Sequence, residues 1–98
     1  MKYKIEYIQT FYSDIISAME FLEDYPKKAE RIFAKVDKLL WNLREMPDMY
    51  PVYTSVPDFR FIVVEDYLVF YKIKNNEGVV EVHRLLNGRM DISTHMQR

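Results

Sequence analysis

The 98-residue chain has no cysteine and only two glycines, Gly78 and Gly88. Without thiols it forms no disulfide, holds no thiolate-ligated zinc and offers no cysteine nucleophile. Two glycines leave little room for a phosphate-cradling loop or a flexible linker, and no P-loop, dinucleotide fingerprint or GxSxG elbow is present. Histidine is scarce too: His83 and His95 stand alone and have no metal-binding spacing such as HExxH, so neither a metal nor another cofactor is expected. No apolar run approaches the roughly 18 residues of a membrane span. Lys2, Lys4 and Glu6 interrupt the N-terminal apolar residues, where a secretion signal would need a continuous core. Together these absences predict a cytoplasmic protein with no membrane partner. The net charge of −1 gives no global attraction to nucleic acid, so any surface that faces RNA or DNA must be a local patch.

An apolar fraction of 49% with 15% aromatics suits a packed globule, and the length suits a single domain over residues 1–98. From Lys2 to Ile8 the chain alternates, with Tyr3, Ile5 and Tyr7 on one side and Lys2, Lys4 and Glu6 on the other. That is the period of a half-buried strand. The period then changes. Phe11, Ile15, Ala18, Leu22 and Tyr25 follow helical spacing, which predicts a helix over Gln9 to Asp24 that stops before Pro26. A second helix is predicted from Pro26 to about Arg44, with Ala29, Ile32, Phe33, Val36, Leu39, Leu40, Leu43 and Met46 on its apolar face and a lysine-rich solvated face opposite. Two helices joined almost without a loop form an antiparallel hairpin.

Residues 47–58, PDMYPVYTSVPD, make a stiff, proline-rich loop of a length often functional in compact domains, with Tyr50 and Tyr53 expected at its edge. Three strands follow: Arg60 to Val64, Tyr67 to Lys74 and Val79 to Leu86, joined by the turns Glu65-Asp66 and Asn75-Asn76-Glu77-Gly78. The tail after Asn87-Gly88 is polar and is expected to be partly disordered. The fold class is therefore α+β in the order β-α-α-β-β-β: a helical hairpin on one face of a small, mainly antiparallel sheet, the other face left open. Alternation assigns Val80, Val82, Arg84 and Leu86 to one face, opposite Val79, Glu81, His83 and Leu85.

An arginine within an apolar strand is costly unless its guanidinium reaches solvent, a carboxylate or a ligand. Arg60 and Arg84 are thus the first candidates. They are either structural ion pairs with Glu81, Glu65 or Asp91, or cations for a phosphate or acidic partner, which suits arginine's planar fork. On residues alone the function stays open.

The segments YKIEYI, DKLLWNLREMP and FRFIVVEDYLVFYKI, followed by VVEVHRLLNGRMD, resemble in order and spacing the RelE/ParE superfamily of toxins from bacterial type II toxin–antitoxin pairs, plasmid stabilisation proteins among them. The resemblance covers almost the whole chain and implies a toxin held inactive by a cognate antitoxin. It leaves two targets, of which messenger-RNA cleavage is the expected one on the two strand arginines and gyrase the alternative. One branch resembles metal-free, ribosome-dependent endoribonucleases that cut messenger RNA and so inhibit translation. For that branch Arg60, Arg84 and His95 are the implied catalytic residues, with Arg89, His83 and Tyr53 as RNA- or partner-binding residues. The other branch resembles non-enzymatic poisons of DNA gyrase, and the LLNGRMD ending is closer to it. An inert relative that keeps only antitoxin binding is the third possibility. The apolar and aromatic surface near the first helix and the sheet edge is the expected seat of the antitoxin.

Overall fold

A computed structural model describes residues 2–96. Strand β1 (Lys4–Tyr7) leads into helix α1 (Gln9–Phe21) and helix α2 (Pro26–Asn42). After a long loop come β2 (Arg60–Val64), β3 (Tyr67–Lys74) and β4 (Val79–Asn87), and a short helix α3 (Ile92–His95) closes the described chain. The sheet order is β1-β4-β3-β2. The two hairpins pair antiparallel, while β1 runs parallel to β4 at the edge, with Lys4 opposite Val79 and Tyr7 opposite Val82. The expected α+β architecture is present, with both helices packed on a mixed sheet.

Each element follows from its residues. On α1, Phe11, Ala18 and Leu22 are buried, and on α2 Ile32, Val36, Leu40 and Leu43 are. That three-and-four spacing lays one stripe of each helix on the sheet. Pro26 opens α2, where its missing N–H is no loss. Gly78 closes the β3–β4 connection in the left-handed region, at φ 64°, which costs glycine nothing. Glu65 adopts a positive φ of 55° in the β2–β3 turn, and Arg31 of α2 reaches its carboxylate through two hydrogen bonds of 2.7 and 2.9 Å.

The principal core joins the helices to Ile62, Val64, Tyr67, Val69, Tyr71, Val80, Val82 and Leu85 of the sheet. The opposite face is not open, contrary to the expectation. Phe59, Phe70, Leu86 and Met96 form a second buried cluster, flanked by Tyr53, Val56, Phe61, Leu68 and Ile92. The physical reason is surplus apolar area: Phe70 and Leu86 point away from the helices, and burial of each large side chain is worth about 1.5–3 kcal/mol. The proline-rich loop and the tail supply the cover.

The tail is accordingly ordered through Met96, which is only 2% exposed. Asp91 starts α3 by accepting hydrogen bonds from the backbone N–H of Thr94 and the hydroxyls of Ser93 and Thr94. Gln97 and Arg98 lie outside the described residues.

The face assignment of β4 also needs correction. Phe70 pairs with Arg84 and Tyr71 with Val82, so His83 is an extra residue, a bulge. A bulge reverses the alternation beyond it. Val80, Val82 and Leu85 face the helices, and Leu86 joins the second cluster. Among the described residues no helix is long and apolar enough to cross a membrane.

Candidate functional site

The bulge precedes Arg84, whose guanidinium is held by several hydrogen bonds at once. Beyond the end of β1, α1 runs beside β4 and brings Asp14 to Arg84. Asp14 accepts from Arg84 Nε at 2.7 Å and Nη2 at 2.9 Å, and from the backbone N–H of Leu85 at 2.9 Å. The third guanidinium nitrogen, Nη1, donates to the His95 carbonyl at 3.1 Å. A fork-to-fork pair of this kind is strong and directional. It holds the guanidinium pKa above its ordinary value, the hydrogen bonds to Asp14 outweighing the effect of burial.

This pair borders a cavity of about 670 Å³ between α1, the end of β4 and the tail. Ala18, Phe21, Leu86 and Met90 supply apolar walls, and Arg89 and His95 bring further cationic or titratable groups to the same cavity. Arg84, Arg89 and His95 are therefore brought together. Their chemistry is that of a receptor: apolar walls accept an apolar anchor, and the basic groups favour a carboxylate beside it.

Arg60 lies elsewhere. Its Nη1 donates to the carbonyls of Tyr50 at 2.6 Å and Asp48 at 3.3 Å, which fastens the start of the long loop to β2. It lines a separate cleft with Lys72 and Lys74. The ion pairs expected for the two arginines are replaced by others: Glu65 binds Arg31, Glu81 lies 3.1 Å from His83 Nε2, and Asp91 caps α3. The partner that sequence reasoning missed is Asp14, 70 residues from Arg84. Its one signal was a lone acid on the otherwise apolar-to-neutral middle of α1.

His83 is half-buried with its ring edge-on to Phe59 at 5.2 Å between centroids. Burial lowers its pKa below the ordinary value. Glu81 opposes that shift, and Lys72 and Lys74 add to it. Tyr53 packs edge-on against Phe70 and Phe61, at 5.1 and 6.2 Å, as part of the second core. Among the described residues no group of three histidines or acids is placed to hold a metal ion.

A further feature is the outward face of α1. Tyr12, Ile16 and Met19 are 51%, 58% and 55% exposed and fall on one helical stripe, which Tyr12 joins to the tilted and edge-on ring contacts of Tyr7 and Phe11. Such patches mark interaction surfaces.

Comparison with known proteins gives this geometry a family. Residues 5–92 match the model of the ParE toxin of type II toxin–antitoxin systems, parDE. Among solved structures the chain is similar to one from a chromosomal ParDE toxin–antitoxin system of Pseudomonas aeruginosa: TM-score 0.73 and 12% identity, over 88% of this chain and 96% of that one. It is also similar to a chain of the RelBE2 toxin–antitoxin complex of Mycobacterium tuberculosis: TM-score 0.65 and 18% identity, over 89% and 99%. No curated protein sequence matches significantly. At these identities the structural likeness establishes the fold, and the family model, which spans nearly the whole chain, establishes the membership: this chain belongs to the ParE toxin family of type II toxin–antitoxin systems.

Proposed function

We propose that this toxin acts by binding DNA gyrase without chemistry of its own, and that a cognate antitoxin neutralises it. The observation that carries this reading is the closed Arg84–Asp14 pair. Cleaving a phosphodiester requires a base, an acid and cations that converge on one phosphate. Here Arg84 is already saturated by a carboxylate, and Arg60 lines a different depression with β3 between its strand and β4. A binding protein needs no such convergence.

The mRNA-cleaving reading draws support from one observation, that Arg84, Arg89 and His95 share a cavity. It requires Arg84 to exchange Asp14 for a phosphate when the ribosome is engaged. Arg60 would then have to act from the neighbouring cleft.

Purified toxin added to gyrase and relaxed plasmid separates the two. The gyrase reading expects supercoiling to fail and cleaved gyrase–DNA complexes to accumulate at stoichiometric toxin, while message on programmed ribosomes stays intact. Cut message with unaffected gyrase overturns it in favour of RNA cleavage. Harmless induction in a host without antitoxin indicates an inert relative.

For the antitoxin, the exposed Tyr12–Ile16–Met19 stripe fits the apolar face of an amphipathic segment. Ile16→Glu is expected to abolish capture by the antitoxin encoded beside the toxin while leaving the melting curve unchanged. Unaltered capture would place the antitoxin elsewhere.

A further inference from the structure

The cavity of about 670 Å³ beside α1 and the end of β4 is lined by polar groups that the fold leaves without partners. Tyr67 is only 3% exposed, yet among the described residues its hydroxyl makes no hydrogen bond. Buried hydroxyls ordinarily have a partner, and one beside a cavity takes it from whatever fills the cavity. Asn87 lies directly opposite Tyr67 on the β3–β4 ladder, which puts both side chains on one face. Its Oδ1 accepts the Arg89 backbone N–H at 2.9 Å, which orients the amide and leaves Nδ2 to donate elsewhere. Arg89 is exposed, and its guanidinium holds no carboxylate or carbonyl among the described residues. The one described carboxylate that lines the cavity, Asp14, is already taken up by Arg84 and the Leu85 N–H. Three unpaired groups that can donate, one of them a cation, therefore meet with no carboxylate competing for them.

Much of the remaining wall is apolar. Ala18 and Leu85 contribute buried surface, and Phe21 and Met90, 68% and 41% exposed, contribute large side chains that gain by being covered. We propose that this cavity binds a free amphiphilic monocarboxylate, an acid with an alkyl or aryl body. The planar fork of Arg89 matches the two oxygens of one carboxylate, and the Tyr67 and Asn87 donors add hydrogen bonds to the same acceptor. The apolar walls take the body, and the volume is usual for a small-molecule site. Asp14, Ala18 and Phe21 lie on the flank of α1 opposite the Tyr12–Ile16–Met19 stripe, so the cavity and the stripe are separate surfaces. The proposal extends the receptor chemistry of the cavity and stands whether or not gyrase is the target.

Its test titrates the full chain, isotopically labelled, with decanoate, phenylbutyrate, the amide of phenylbutyrate and acetate, and follows the backbone amides by NMR. Saturable shifts at Ala18, Leu85, Asn87 and Arg89 are expected with the two amphiphilic acids. The amide lacks the charge and acetate lacks the body, so each should bind about tenfold more weakly or worse. Arg89→Gln should weaken the acids by about tenfold. Tyr67→Phe should weaken them by about three- to tenfold without lowering the melting temperature, because the hydroxyl gives up no protein partner. Preference for decanoate or for phenylbutyrate identifies the body, and either supports the proposal. Equal binding of the amide overturns it by showing an apolar groove alone, and equal binding of acetate overturns it by showing a simple anion site. Affinity unchanged in Arg89→Gln overturns it as well. So does the absence of saturable shifts with both acids, including the case where a peptide ending in a leucine carboxylate binds and the cavity belongs to a protein C-terminus.

Discussion

Removing the Asp14 carboxylate probes the structural claim on which the functional reading rests. The side chains of Asp14 and Arg84 are 12% and 20% exposed, and the carboxylate accepts three hydrogen bonds, two from the guanidinium and one from the Leu85 N–H. Asp14→Ala leaves a largely buried cation and a backbone donor without their acceptor. Breaking such a pair from one side costs about 3–5 kcal/mol. Arg84 is one-fifth exposed and keeps the His95 carbonyl, so the lower end applies, about 3 kcal/mol. In a domain of this size that corresponds to a fall in melting temperature of roughly 12–24 °C. Arg84→Met should cost less, about 2 kcal/mol, because Asp14 keeps the Leu85 N–H. The double substitution Asp14→Ala with Arg84→Met should fall short of the summed single costs by about 2 kcal/mol or more, the signature of a coupled pair. Urea denaturation of the four proteins measures all of these terms. A loss below about 1 kcal/mol for Asp14→Ala, or strict additivity, would show a solvent-screened contact. Arg84 would then be available to a phosphate, and the case against RNA cleavage would lose its foundation.

Two further perturbations address the parts of the fold that hold the sites in place. Met96→Ala removes the tail's anchor among Phe59, Phe70 and Leu86, and should lower stability by about 2–3 kcal/mol in a urea melt; no change would mean that the second core does not need the tail. Tyr71→Phe deletes a buried hydroxyl that donates to the Pro47 carbonyl at 2.6 Å, at an expected cost of about 1–2 kcal/mol near neutral pH. Burial pushes the Tyr71 pKa up from 10.0 to about 12, so its contribution is complete below pH 10 and is lost as pH rises through about 12. The phenylalanine variant should lack that share of the alkaline loss, and identical alkaline limbs would contradict the assignment.

Much of the architecture was legible because its signals are local. The two periods, of strand and helix, placed α1, α2 and the three C-terminal strands within a few residues of their observed bounds. The hairpin-length turns correctly implied β2-β3-β4 pairing. The site was less legible. Arg84, Arg89 and His95 meet because α1 and the tail converge on the end of β4, while Arg60 is drawn into a different cleft by loop carbonyls. Backbone carbonyls have no sequence signature, so an arginine that binds them looks the same as one awaiting a ligand.

The chain by itself determined the order of its elements, the apolar stripe of each helix and the membership of a toxin family, since all three reside in residue type and spacing. Only the tertiary structure decided what the arginines do. The bulge at His83 reverses the faces of β4 because the ladder takes one residue more on that strand than on β3. The second face of the sheet is closed because Phe70 and Leu86 must be buried against something, and only the long loop and the tail reach them. Asp14 neutralises Arg84 because the parallel placement of β1 carries α1 along β4, a juxtaposition of residues 70 apart that depends on packing rather than on any local pattern.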